Sequence, residues 1–97
     1  MSETALNGQQ VWREHGCVNC HSILGLGGHA GPDLTNVISR SGPEYSSQVI
    51  TYGVGIMPAR EISPEEMTQL IAWLTHIDDQ AVYPVRSFPD GSFGAQR

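Results

Sequence analysis

Cys17-Val18-Asn19-Cys20-His21 is the stretch on which the reading of this chain turns. C-x-x-C-H is the attachment signature of a c-type haem. Two thiols at that spacing can each add to one haem vinyl group, and the adjacent His21 then lies under the iron, within reach of an imidazole nitrogen. The chain contains two cysteines in all, and the motif uses both. None remains for a structural disulfide or a four-cysteine metal site.

Other readings of the motif fare worse. A thioredoxin-like C-x-x-C follows a strand within a βαβ pattern, and no such pattern surrounds Cys17 and Cys20. A Cys2His2 zinc finger needs a later H-x3–5-H pair, which His15, His21, His29 and His76 do not supply. The glycines of Gly25-Leu26-Gly27-Gly28 imitate a phosphate loop, but the preceding strand and the full dinucleotide fingerprint are missing.

Ninety-seven residues make one domain with a marginal core of its own. A covalently held haem adds the apolar surface that a chain with 39% hydrophobic residues lacks. Eleven Gly and six Pro fit irregular backbone wrapped around a flat cofactor. The formal net charge is −5, and the basic residues are Arg13, Arg40, Arg60, Arg86 and Arg97, with no Lys. That excludes the basic patch of a nucleic-acid binder and a lysine-ringed docking face. A partner would meet an apolar patch at the haem edge or bring a basic face of its own. No stretch approaches the about 18 apolar residues of a membrane span, and Met1-Ser2-Glu3-Thr4 leads directly into polar sequence without a signal-peptide pattern. Haem attachment to C-x-x-C-H normally takes place outside the cytoplasm. The expectation is a mature or excised periplasmic domain whose export signal or membrane anchor is not in this chain.

Residues 5–15 read as a short helix capped by Thr4 or Asn7, with Val11 and Trp12 on its apolar edge and Gly16 at its end. Gly8 suits a close helix approach. Residues 22–36 read as a Gly-rich loop, followed by a helix from about Pro43 to Thr51 with Ser41 or Gly42 as its cap. Tyr52 to Pro58 reads as a second loop. Ser63-Pro64-Glu65-Glu66 is a capping box with Pro at the first helical position. Met67, Leu70, Ile71, Leu74 and Ile77 follow at helical spacing until Asp78-Asp79 ends the pattern. This divides the chain into a domain over residues 1–79 and a tail over 80–97.

This ordered series resembles a class I cytochrome c: an all-α fold, N- and C-terminal helices crossing, loops wrapping one covalent haem. The resemblance implies haem c attached through Cys17 and Cys20. It makes His21 the proximal ligand and Met57 the distal ligand, and has Pro32 accept a hydrogen bond from His21. It matches Gly8 and Trp73 to the helix crossing and Trp12 to the aromatic that packs on the haem. For Met57 a physical argument stands beside the resemblance. A thioether is a soft, neutral ligand that raises the potential, and Met57 stands in a Gly-rich loop closed by Pro58, whereas Met67 fits the core stripe and Met1 is terminal. His29, eight residues after His21, reads as a solvent-facing loop residue. His15 and His76 read as surface residues near helix ends. Tyr45, Tyr52, Arg40 and Arg60 remain open as partners for haem propionates.

The run from Cys17 to Val37 and the later Met57 to Asp78 are most similar to the cytochrome c subunit of bacterial nitric oxide reductase. The stretch between His21 and Met57 is shorter than in that protein. The resemblance implies a non-enzymatic electron carrier that passes single electrons between a soluble donor and a membrane haem-copper reductase or oxidase. Association with the membrane would run through a missing anchor or the partner. The alternative is a haem-based NO or CO binder or sensor with a labile distal ligand.

Overall fold

The computed structural model describes residues 1–83. Helix α1 spans Glu3–Glu14. Its cap is Ser2, whose hydroxyl accepts from the Ala5 N–H at 3.1 Å, rather than Thr4 or Asn7. The first turn therefore starts before the expected residue, with Glu3 at the positive end of the helix dipole. His15 closes α1, and Gly16 follows at φ 69°, turning the chain into a single 3-10 turn over Cys17–Asn19.

A small hairpin follows where the sequence reads as an unbroken loop. Strand β1, Ser22–Ile23, pairs antiparallel with β2, Leu26–Gly27. The described residues are thus mostly helical with one two-stranded sheet, a correction to an all-α description. Leu24 and Gly25 form the turn, both at positive φ (52° and 79°), the pattern of a type I′ turn.

A second unexpected element is α2, Val37–Ser41, a single short turn of helix. Gly42 separates it from α3, Pro43–Tyr52, which begins on a proline as its sequence requires. The last helix, α4, spans Pro64–Gln80 and continues one residue beyond Asp78-Asp79. Its capping box is complete: the Ser63 hydroxyl accepts from the Glu66 N–H at 3.1 Å, and Glu66 Oε1 accepts from the Ser63 N–H at 3.2 Å.

The core lies between α1 and α4. Ala5, Val11 and Trp12 meet Leu70, Trp73 and Leu74, with Ile50 of α3 beside them. Gly8 makes the crossing close: a Cβ there would run into the Gln69 carbonyl and lie 2.8 Å from Trp73 Cβ. Trp12 and Trp73 pack at 5.3 Å between ring centroids, tilted by 47°, a favourable aromatic geometry.

After α4 the chain doubles back. Asn36, at the head of α2, donates through Nδ2 to the Asp78 carboxylate (2.9 Å) and to the Ala81 carbonyl (2.8 Å). Its Oδ1 accepts from the Tyr83 N–H at 2.8 Å. Ser39 also donates to Asp78. Most of the expected tail, residues 84–97, lies outside the described residues. Among those described, no helix is long and apolar enough to cross a membrane.

Candidate haem site

The C-x-x-C-H segment is held as a tight turn. Asn19 N–H bonds to Gly16 O at 3.0 Å, and His21 N–H bonds to Cys17 O at 3.0 Å. No disulfide joins Cys17 and Cys20. Cys17 is half-buried and Cys20 exposed. Burial pushes the Cys17 thiol up, with the Arg60 charge pulling the other way.

His21 has its Nδ1 at 2.8 Å from the Pro32 carbonyl. A carbonyl only accepts, so Nδ1 carries the proton and the Nε2 lone pair of the neutral ring is left free. Gly31 makes this approach possible, because a Cβ there would lie 2.7 Å from Nδ1. The Gly31 N–H in turn bonds to the Cys20 carbonyl at 2.7 Å.

Across from the motif, Met57 is carried by a narrow turn. Val54 and Met57 exchange backbone hydrogen bonds at 3.0 and 2.9 Å. The turn is tied to α3 by the Arg60 N–H, which bonds to the Ile50 carbonyl at 2.9 Å. Met57 is half-buried and touches the core, while neighbouring Ile56 is 90% exposed.

These two segments face one cleft of about 430 Å³. Cys17, Cys20, His21, Pro32 and Met57 all line it, together with apolar side chains such as Leu34, Val37, Ile50 and Leu74. Arg40, Arg60 and Tyr45 are in the same wall, so of the four side chains left open for propionates these three face the cleft and Tyr52 does not. Trp12 lies apart from it, packed against Trp73 in the helix crossing. His29 is exposed, away from the cleft. His15 is not simply a surface residue: its Nε2 is 3.4 Å from Glu66 Oε2 and joins the end of α1 to the start of α4. The Ser63 N–H, then His15, hold the Glu66 carboxyl below its usual range.

The donor chemistry suits a c-type haem. Two thiols sit beside an imidazole whose distal nitrogen is free, a thioether stands in the facing wall, and the surroundings are apolar with two guanidinium groups at hand for carboxylates. Among the described residues, no three His, Cys, Asp or Glu side chains gather into a metal-binding group.

Asp33 is a residue that sequence reasoning passed over. Its carboxylate accepts four hydrogen bonds: from Ser22 Oγ (3.0 Å), Gly25 N–H (2.8 Å), Thr35 N–H (2.9 Å) and Thr35 Oγ1 (2.6 Å). Burial pushes this carboxyl up, but the bonds from Thr35, Gly25 and Ser22 outweigh it and the net shift is downward. Ser22 and Thr35 are buried. The only signal in the sequence was the Asp-x-Thr spacing of a local Asx turn.

Comparison with known proteins agrees with this chemistry. The family described as cytochrome c oxidase, cbb3-type, subunit III matches residues 3–74. The C subunit of nitric oxide reductase from Halomonas halodenitrificans is 32% identical over 97 residues, covering 82% of this chain and 65% of its own length. The corresponding nitric oxide reductase chain of Stutzerimonas stutzeri is 29% identical over 92 residues, covering 80% and 63%. The menaquinol:cytochrome c reductase cytochrome c subunit of Bacillus subtilis (strain 168) is 37% identical over 57 residues, 59% of this chain and 22% of its own. The chain spans just under two thirds of the length of the first two relatives.

Proposed function

The chain belongs to the family described as cytochrome c oxidase, cbb3-type, subunit III, and from that premise we propose that it carries single electrons through one covalently bound haem with His21 and Met57 as axial ligands. It is a cytochrome c like the nitric oxide reductase subunit, a haem-based electron-transfer domain of the respiratory-chain kind.

Cys17 and Cys20 would hold the porphyrin edge through thioethers. A bound haem supplies a one-electron Fe(III)/Fe(II) couple. The chain's own residues prepare the site for it. Pro32 keeps the His21 proton on Nδ1, so Nε2 is presented as a donor in a fixed orientation. The narrow turn from Val54 to Met57 presents a thioether, which binds ferrous iron well and sets a high potential. Leu34, Val37, Ile50 and Leu74 give the cleft apolar walls, against which a porphyrin face would pack. Arg40, Arg60 and Tyr45 offer two charges and a hydroxyl to propionates. With His21 and Met57 both holding the iron of a bound haem, no coordination site would be left for a substrate. The domain is therefore a carrier, although its relatives are subunits of enzymes.

The partner in this reading is a membrane respiratory complex of the nitric oxide reductase or haem-copper oxidase kind, fed by a soluble donor, on the extracytoplasmic side. The names of the relatives support that class of partner. The observation that carries the proposal is the convergence of the two thiols, the imidazole and the thioether on one apolar cleft.

The test is the visible spectrum of the ferric protein. The expected result is a red charge-transfer band of a sulfur–iron bond, lost in Met57→Ala. Absence of that band in the wild type, with rapid carbon monoxide binding to the reduced form, would overturn the carrier and leave an open-site gas binder.

A further inference from the structure

We propose that Asp33 is a positioning residue for the proximal ligand: it fixes the peptide plane whose carbonyl holds His21. The inference rests on the reading of His21 as a haem ligand.

The Pro32 carbonyl belongs to the Pro32–Asp33 peptide. Its direction is therefore set by Pro32 ψ and Asp33 φ, and it has no freedom apart from the Asp33 backbone. That backbone is held on two sides. The Asp33 carboxylate accepts from the Thr35 N–H at 2.9 Å, closing a local turn just after the carbonyl. The same carboxylate accepts from Ser22 Oγ at 3.0 Å and Gly25 N–H at 2.8 Å, which ties the turn to the hairpin. Leu34 N–H bonds to Ser22 O at 2.9 Å and strengthens the same seam.

The result is two adjacent cross-links of equal span. His21 Nδ1 meets Pro32 O across 11 positions, and Ser22 Oγ meets Asp33 Oδ2 across 11 positions. One is the bond that orients the ligand. The other joins the residues that follow each partner of the first, so a shift of Pro32 relative to His21 must also break or stretch the Asp33 contacts. The cluster has a buried side and an open one: Thr35 is 0% and Ser22 2% exposed, while Asp33 itself is half-buried. No buried side-chain nitrogen or oxygen among the described residues lacks a partner. With the carboxylate removed, the buried Ser22 and Thr35 hydroxyls lose their acceptor, and a half-satisfied network costs more than a pairwise count suggests.

The chemical consequence follows from the partner of Nδ1. A well-aligned acceptor there gives the ring anionic character and makes Nε2 the stronger donor, which favours ferric iron. Removing the Asp33 clamp misaligns the acceptor, weakens the donor and raises the reduction potential. The Nδ1–H also becomes easier to exchange.

The experiment compares the holoprotein with Asp33→Ala, Ser22→Ala, Thr35→Val and Asn36→Ala. Hydrogen exchange of the His21 Nδ1–H is followed by NMR, and the reduction potential by spectroelectrochemical titration. Asp33→Ala is expected to speed exchange on the order of tenfold, as loss of one hydrogen bond would, and to raise the potential. Ser22→Ala and Thr35→Val leave the charge intact and are expected to move both readouts in the same direction by less. They also keep the test open should Asp33→Ala not fold. Asn36→Ala breaks the contacts with Asp78, Ala81 and Tyr83 instead, and is expected to lower Tm while leaving both readouts at wild type. Faster exchange in the Asn36 variant would show that any loosening suffices and would overturn the proposal. So would a potential that moves only with the charge of Asp33 while exchange stays constant. If His21→Ala retains the wild-type spectrum, the ligand reading itself has failed. If His21 ligates and Asp33→Ala exchanges at the wild-type rate, the clamp alone has.

Discussion

Leu24 is the one described residue other than glycine at positive φ, 52°. An L-residue there brings Cβ against its own carbonyl, at roughly 1–2 kcal/mol. The cost is accepted because its N–H donates to Thr35 Oγ1 at 2.7 Å and so closes the Asp33 cluster from above. Asn tolerates the left-handed region better, and Leu24 is 46% exposed, so little packing is lost with it. Leu24→Asn is expected to stabilise the protein by about 1 kcal/mol, a rise in Tm of roughly 4 °C. Thermal melting checks this, and a lower Tm would mean that the Leu24 side chain contributes more by packing than its backbone loses by strain. At this scale the sequence was informative where chemistry is tied to spacing. Cys17, Cys20 and His21 stand out by spacing and Met57 by its loop, and the structure brings all four to one cleft. Asp33 did not, because its importance comes from groups on Ser22 and Gly25, which reach it only after the hairpin has formed.

At the scale of elements, legibility followed locality. The start of α4 is written in four adjacent residues, Ser63 to Glu66, and the structure uses each of them. The hairpin and α2 were not legible. Strands of two residues are too short to show a period of two, and α2 is one turn without a side-chain cap, anchored from residue 78 across about half the described chain. Gly8 gives the sharpest element-level test, since two effects oppose each other. Gly→Ala in a helix is worth about 1 kcal/mol in propensity. Against that, the new Cβ would collide with backbone at Gln69, which cannot swing aside as a side chain does, and overpacking costs about 1–3 kcal/mol. The collision wins. Gly8→Ala should lower stability in chemical denaturation, and an increase would show that α1 can slide on α4 without cost.

At the scale of the molecule, acid is the expected weakness. Burial pushes Asp33 and Asp78 up, but hydrogen bonds (Thr35, Gly25 and Ser22 on Asp33; Ser39 and Asn36 on Asp78) outweigh it and leave both below the ordinary 3.8. A carboxyl whose folded pKa is depressed stabilises the fold above its unfolded pKa, and that contribution disappears as pH falls through the folded value. Stability should therefore be nearly level through neutral pH as far as these two groups decide it, then fall below about pH 4. Asp78→Asn should lower stability at neutral pH and flatten the acid limb, as measured by denaturant midpoints across the titration. A limb as steep as in the wild type would remove Asp78 from the account.

The doubling back of the chain after α4 also fixes how the domain meets a mechanical load. A pull arriving through residues beyond Tyr83 does not reach the end of α4 directly. It is taken first by Asn36, whose single amide grips Asp78, Ala81 and Tyr83 at once. Because that amide sits at the head of α2 and also holds Asp78 of α4, the force is shared between α2 and the last turn of α4. In single-molecule stretching with the handle attached at residue 83, Asn36→Ala is expected to lower the force at which the first extension step occurs and to leave the main rupture unchanged. A first step at the wild-type force would show that Asn36 does not bear the load.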